Sequence, residues 1–314
     1  MNEEIKKIEN DGTNKIKEPV LRRGDYFLPG SIVLAALIIS VSWIYTTQLQ
    51  FSGNPVKLSE AKTVALEEKA LPSKGVSLPV RWGDLGIQLT NSGVIDRDKF
   101  MALYDKQGGL PESDKKLLDR FNNSQIVITP YNANFLLNLF WALGLGNRNE
   151  ILEKGEMADK KYGGADKFAS TGGWSLAKGK AMDHYSMHKF MNLNPEQQAM
   201  VERVSKGIYR PCCGNSTHFP DCNHGMAMFG LLELMALQGV SEKDMYEVAL
   251  QVNAYWFPDT YLTIATYLES KGSSWEKADP KELLGAEYSS SVGYQKILSQ
   301  VAPQTQKGGG SCGV

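Results

Sequence analysis

Hydrophobic and polar positions follow three patterns along this chain: one unbroken apolar run, a long series of helical periods, and a single short alternation. The apolar run is Phe27 to Tyr45 (FLPGSIVLAALIISVSWIY), 19 residues without a charge. As a helix it would reach about 28 Å at about 1.5 Å per residue, the thickness of a bilayer's hydrocarbon. Pro29 and Gly30 stand in its first turn, where a missing N–H costs little, and Trp43 and Tyr45 suit the far interface. Arg22 and Arg23 lie just before the run, Lys15 and Lys17 before them, and the first lysine after it is Lys57. Positive-inside reasoning makes residues 1–26 a cytoplasmic tail, residues 27–45 an uncleaved single-pass anchor in the lipid bilayer, and everything after Tyr45 extracytoplasmic. Thr46 to Gln50 offers no small-residue cleavage site, and no cysteine stands behind the run for lipidation.

Residues 46–75 are polar and mixed in charge and read as a stalk with one exposed helix over Ser59 to Lys69. Residues 76–301 carry repeated helix signatures. Asp84–Leu89, Asp96–Tyr104 and Glu112–Phe121 are short helices between Gly, Asn and Pro punctuation. Asn132 to Leu143 (NANFLLNLFWAL) is apolar nearly all round and predicts a buried central helix. Leu193–Ile208 opens with Asn194 as N-cap and Pro195 at the first helical position. Ser241–Phe257 begins with a serine cap and ends before Pro258; Thr260–Glu269 and Tyr288–Val301 follow. Only Gln125 to Thr129 (QIVIT) has strand character, and no repeat of solenoid length recurs. Lys160 to Lys180 is glycine-rich with interleaved aromatics, the composition of a long surface loop or of a loop lining a cleft. Residues 302–314 form a flexible glycine-rich tail around Cys312. The expected fold is mainly α: a single transmembrane helix followed by one irregular multi-helix extracytoplasmic domain.

Composition changes this picture little. Hydrophobic residues make up 42% of the 314, enough for a core without metal or disulfide support. Lys plus Arg (34) and Asp plus Glu (35) nearly cancel to −1, so nothing electrostatic points to nucleic acid. Four cysteines are too few for a disulfide-rich scaffold.

Their placement carries the chemistry. All four histidines and three of the four cysteines fall between His184 and His224, leaving only Cys312 outside. Imidazole and thiolate are the side chains that bind zinc, copper and similar ions most readily. His184 and His188, four apart in KAMDHYSMHKFM, would stack on one helix face with Met187 and Met191. Cys212, Cys213, His218, Cys222 and His224 follow in IYRPCCGNSTHFPDCNHG. The next residues, GMAMFGLLELMALQG, are strong helix formers, which places Cys222 to His224 at a helix N-terminus, where the helix dipole favours a thiolate. On that helix Cys222, Met226, Gly230 and Glu233 would share one stripe. Neighbouring Cα atoms are about 3.8 Å apart, too close for Cys212 and Cys213 to pair with each other comfortably.

The expected function is therefore a membrane-anchored extracytoplasmic protein binding a transition metal. Cys213, Cys222 and His224 are its core ligands, with Cys212, His218, His184 and His188 as further candidates. Copper is expected ahead of zinc because methionines accompany the thiols and imidazoles, and Cys312 would serve as a tethered soft ligand. Two other classes compete. One is an envelope scaffold clamped by a Cys213–Cys222 disulfide; the other is a thiol hydrolase pairing Cys222 with His184 or His188.

Overall fold

A computed structural model describes residues 59–301. The expected cytoplasmic tail, the anchor over 27–45, the first part of the stalk and the Cys312 tail lie outside the described residues. Among the described residues the fold is mainly helical, and no helix is long and apolar enough to cross a membrane.

The core is a crossing of two nearly all-buried helices, α5 (Ala133–Gly146) and α8 (Asn223–Leu237). Asn134 is the only residue of α5 that is not buried, as its all-round apolar sequence demands. Where the helices cross, Gly144 faces Gly230, and a methyl on either would run into the other helix's backbone. Only glycine allows main chains to approach so closely.

The other helices, among them the short α6 (Glu150–Lys154) and α11 (Pro280–Leu283), pack around this pair. α7 (Pro195–Gly207) starts with the reciprocal capping box of Asn194 and Gln197 and buries Val201, Val204 and Ser205. α9 (Glu242–Trp256) is capped by the Ser241 side chain, and α10 (Pro258–Ser270) begins one residue after it ends. Near the amino end of the domain lie α2 (Leu85–Ser92), α3 (Arg97–Asp105) and α4 (Glu112–Asp119), all close to expectation.

Several expectations need correction. The stalk helix exists as α1 (Glu60–Ala70), but it belongs to the domain. Leu66 and Ala70, one turn apart, are buried, and the Tyr255 hydroxyl donates to Pro72 O at 2.7 Å. Its charged exposed face had concealed that narrow apolar stripe. The expected strand at Gln125 has an unforeseen partner. β1 (Val76–Gly83) pairs antiparallel with β2 (Asn122–Ile128), burying Leu78, Val80 and Trp82 while Ser77, Pro79 and Arg81 face out. Its other edge is covered by one side chain: Gln238 accepts from Arg81 N at 2.9 Å and donates to Arg81 O at 2.7 Å. The expected last helix is split, because Ser290 is extended and caps α13 (Ser291–Leu298) after the short α12 (Ala286–Ser289).

The glycine-rich segment is irregular, as expected, but packed inward. Trp174 donates to Val94 O and Trp141 to Ser170 O, both at 2.7 Å. The histidine helix does not form. A 3₁₀ turn at Ala181–Asp183 leads into a turn with Ser186 at φ +55°. Ser186 N then donates to Leu145 O at 2.8 Å and His188 N to Gly146 O at 2.9 Å. These carbonyls end α5 and lack partners within their own helix. Satisfying them holds the segment in turns, against its helical periodicity.

Candidate metal centre

The loop before α8 is closed by its own backbone: Thr217 N donates to Ile208 O at 2.7 Å, and Tyr209 and Ser216 form an antiparallel bridge. This fold-back carries Cys212 and Cys213 over the start of α8. Cys222 is the N-cap of that helix, its sulfur accepting from Gly225 N at 3.4 Å. A cysteine thus stands where Ser, Thr, Asp or Asn usually serves, and that favours its anionic form.

Three sulfurs converge. Cys222 Sγ lies 3.5 Å from Cys212 Sγ and 4.0 Å from Cys213 Sγ, and the adjacent pair are 4.0 Å apart. No two of them are within bonding distance, so all three are free cysteines here. The expectation that Cys212 and Cys213 do not bond to each other agrees with that spacing. Both reach Cys222, with Cys212 exposed and Cys213 also facing Asp221 at 3.9 Å. His224, in the first turn of α8, is buried against Phe257 with ring centroids 4.4 Å apart. Its ring joins Cys212 and Cys222 in a set whose donor atoms lie within 4.8 Å of one another; Cys213, Asp221 and Cys222 form a second such set.

Beneath the sulfurs lies Arg210, fully buried. It donates through Nε to Cys222 Sγ at 3.2 Å and through Nη2 to Asp221 Oδ1 at 2.6 Å. Asn215 donates to the other Asp221 oxygen at 2.8 Å. A side chain at Gly225 would strike the guanidinium, so glycine there makes room for it. Sequence reasoning missed both Arg210 and Asp221. Their only signal was adjacency, Arg210 two residues before Cys212 and Asp221 immediately before Cys222.

The electrostatics separate the thiols. Hydrogen bonds from Cys212 and Cys213, with the charge of Arg210, hold the Cys222 thiol well below its ordinary range in spite of burial. Cys213 receives a bond from Cys212, yet its own bond to Cys222 and its burial push it up to about 11. Burial opposes the charge on Arg210, but the neighbouring sulfurs and Asp221 more than offset it and raise its affinity for the proton. The result is one thiol made more acidic than its neighbour Cys213, over a buried cation.

The remaining expected ligands lie elsewhere. His218 N donates to Ser205 O, and burial and the charge of Lys206 lower the proton affinity of its ring. His184 bonds to His188 and to the Lys178 carbonyl, so neither of its ring nitrogens is turned to Cys222 as the hydrolase reading required. Among the described residues neither histidine joins a set of three donors. The methionine stripe is also absent: Met187 is 64% exposed and Met191 is buried. Cys222 heads the α8 stripe. Glu233 is fully buried at the far end, accepting from Asn147 and Asn149 at 2.8 Å each, and burial pushes its carboxyl up to about 8. The chain matches no family model, and no curated protein and no solved structure is similar to it.

Proposed function

We propose that Cys212, Cys213, Cys222 and His224 hold one soft transition-metal ion. On this reading the protein is a membrane-anchored, extracytoplasmic metal-binding protein, its anchor being the uncharged run over residues 27–45. The sulfur spacing carries the proposal. Two ligands on a tetrahedral ion with bonds of about 2.3 Å stand about 3.8 Å apart, and the three Sγ separations of 3.5, 4.0 and 4.0 Å bracket that value. Three thiolates and one imidazole form a closed structural set for zinc, and the same donors suit copper(I). Zinc takes precedence here, because the His184–Met187–His188–Met191 stripe that favoured copper does not form. Arg210 lies behind Cys222 as an outer partner, its charge offsetting the excess anionic charge of three thiolates.

The test is elemental analysis of the full chain purified under mild reduction. Close to one zinc or copper per chain is expected, lost in Cys222→Ser and in His224→Ala. A metal-free chain in which Cys212, Cys213 and Cys222 are all readily alkylated defeats the reading.

One observation favours a second reading. Cys212 and Cys222 are the nearest sulfur pair, and Cys212 is open to solvent. In an oxidising exterior these two, rather than Cys213 and Cys222, would close the loop as a disulfide. Finding Cys212 linked to Cys222 by peptide mapping of the native chain, without metal, would establish the scaffold instead.

A further inference from the structure

We propose that His184 and His188 form a second, separate site for a divalent ion that prefers imidazole, such as zinc, nickel(II) or copper(II). The site goes beyond the thiol centre and shares no residue with it. Its first support is the direction of the ring nitrogens. His184 Nε2 lies 2.8 Å from Lys178 O, which can only accept, so this nitrogen carries the ring proton. In the neutral ring Nδ1 is then a lone pair, aimed at His188 Nε2 at 3.1 Å. A carbonyl on the outer nitrogen is the usual way a protein sets the tautomer and orientation of a ligating histidine. Without an ion, His188 Nε2–H donates to that lone pair. With the ring proton moved to His188 Nδ1, Nε2 offers a second lone pair beside the first.

The spacing suits one ion. Two imidazole nitrogens bound tetrahedrally at about 2.0–2.1 Å stand about 3.3–3.4 Å apart, so the rings must part by a few tenths of an ångström and tilt to turn both lone pairs from each other to the ion. Their surroundings hold them in place. Gly93 lies against His184, where a side chain would meet Cε1 at 3.3 Å, and Phe190 stacks on His188 with centroids 5.1 Å apart.

The second support is the backbone between them. Ser186, at φ +55°, is the only described non-glycine residue with a positive φ. Such a conformation persists where neighbours enforce it. Here Leu145 O accepts from Ser186 N, and Ser186 Oγ accepts from Asn149 N at 3.0 Å. The strained turn brings the two ring nitrogens together without a helix. His188 is half-buried, so an ion has a path from solvent, and water fills the positions the protein leaves open.

The test uses the full chain with Cys212, Cys213, Cys222 and Cys312 all replaced by serine, titrated with nickel(II) and, separately, copper(II). One equivalent is expected, with nitrogen hyperfine structure in the copper spectrum. Affinity should fall roughly tenfold or more in His188→Gln, whose amide can still donate to His184. No uptake, or uptake indifferent to His188→Gln, overturns the proposal. If the serine chain does not fold, the wild-type chain already saturated at its thiols serves instead. A second equivalent lost in His188→Gln then supports the site, and a single equivalent unaffected by it refutes the site. The thiol reading is judged on Cys222→Ser and His224→Ala, so the two can fail separately.

Discussion

The thiol loop and the histidine turn both gather metal-ligating side chains but are built by opposite means. The thiol loop is organised by charge: a buried guanidinium binds Asp221 and Cys222 together, and the sulfurs gather over it. The histidine turn is organised by main-chain hydrogen bonds, with Ser186 and His188 completing the carbonyl end of α5. One cluster therefore depends on a single side chain and the other on where a helix ends. Between them lies Glu233, on the same helix as Cys222 but bonded to Asn147 and Asn149 beside the histidine turn.

The largest expected effect breaks the first region alone. Arg210→Met leaves Asp221 and the Cys222 thiolate without their buried cation. Removing one partner of a buried ion pair costs about 3–5 kcal/mol. Urea unfolding should show that loss, and the pH profile of thiol alkylation should move upward because Cys222 no longer ionises easily. Nickel(II) uptake by the histidine pair, measured well below the unfolding transition, should persist. Equal loss at both sites would show that the two regions are one unit.

Glu233 acts on the second region through pH. Its carboxyl titrates near 8 when folded, against an ordinary value of 4.5. Between those values the folded state holds a proton that the unfolded state has released, so stability must fall as pH rises through this window. The slope is at most about 1.4 kcal/mol per pH unit, with no further loss above the folded value. Melting temperatures of Glu233→Gln should be nearly flat across the same range and exceed wild type at the alkaline end. A wild-type curve that rises from pH 6 to 8 would mean that the carboxyl is ionised in the fold.

The smallest expected effect sharpens the choice of metal. Met187 is exposed beside the histidines. Met187→Ala should change stability by no more than about 0.5 kcal/mol and leave copper and zinc uptake at both sites unaltered. A selective loss of copper would restore a thioether to the ligand set.

Much of the helical framework was legible locally. Asn194 with Pro195 and Gln197, the Ser241 cap, and the unbroken apolar stretch in α5 each announce a helix through interactions within a few residues. Cys222 at the start of α8 was legible for the same reason, since the helix formers begin directly after it. The strand β1 had a readable alternation of buried Leu78, Val80 and Trp82, obscured by Pro79 between them. Arg210 was not legible, because a lone arginine reads as surface until a buried anion is shown beside it.

The sequence alone determined the residue types available for chemistry, their crowding into one stretch, and most helix boundaries, because caps and periodicity act over a few residues. Tertiary structure alone decided that three sulfurs meet, that the His224 ring joins two of them, and that His184 and His188 turn to a carbonyl and to each other. Those outcomes depend on Gly144 meeting Gly230, on the open carbonyls of Leu145 and Gly146, and on a cation buried under the loop. Each is a contact between segments far apart in the chain, and neither periodicity nor spacing encodes which distant group will be there to satisfy a donor or a charge.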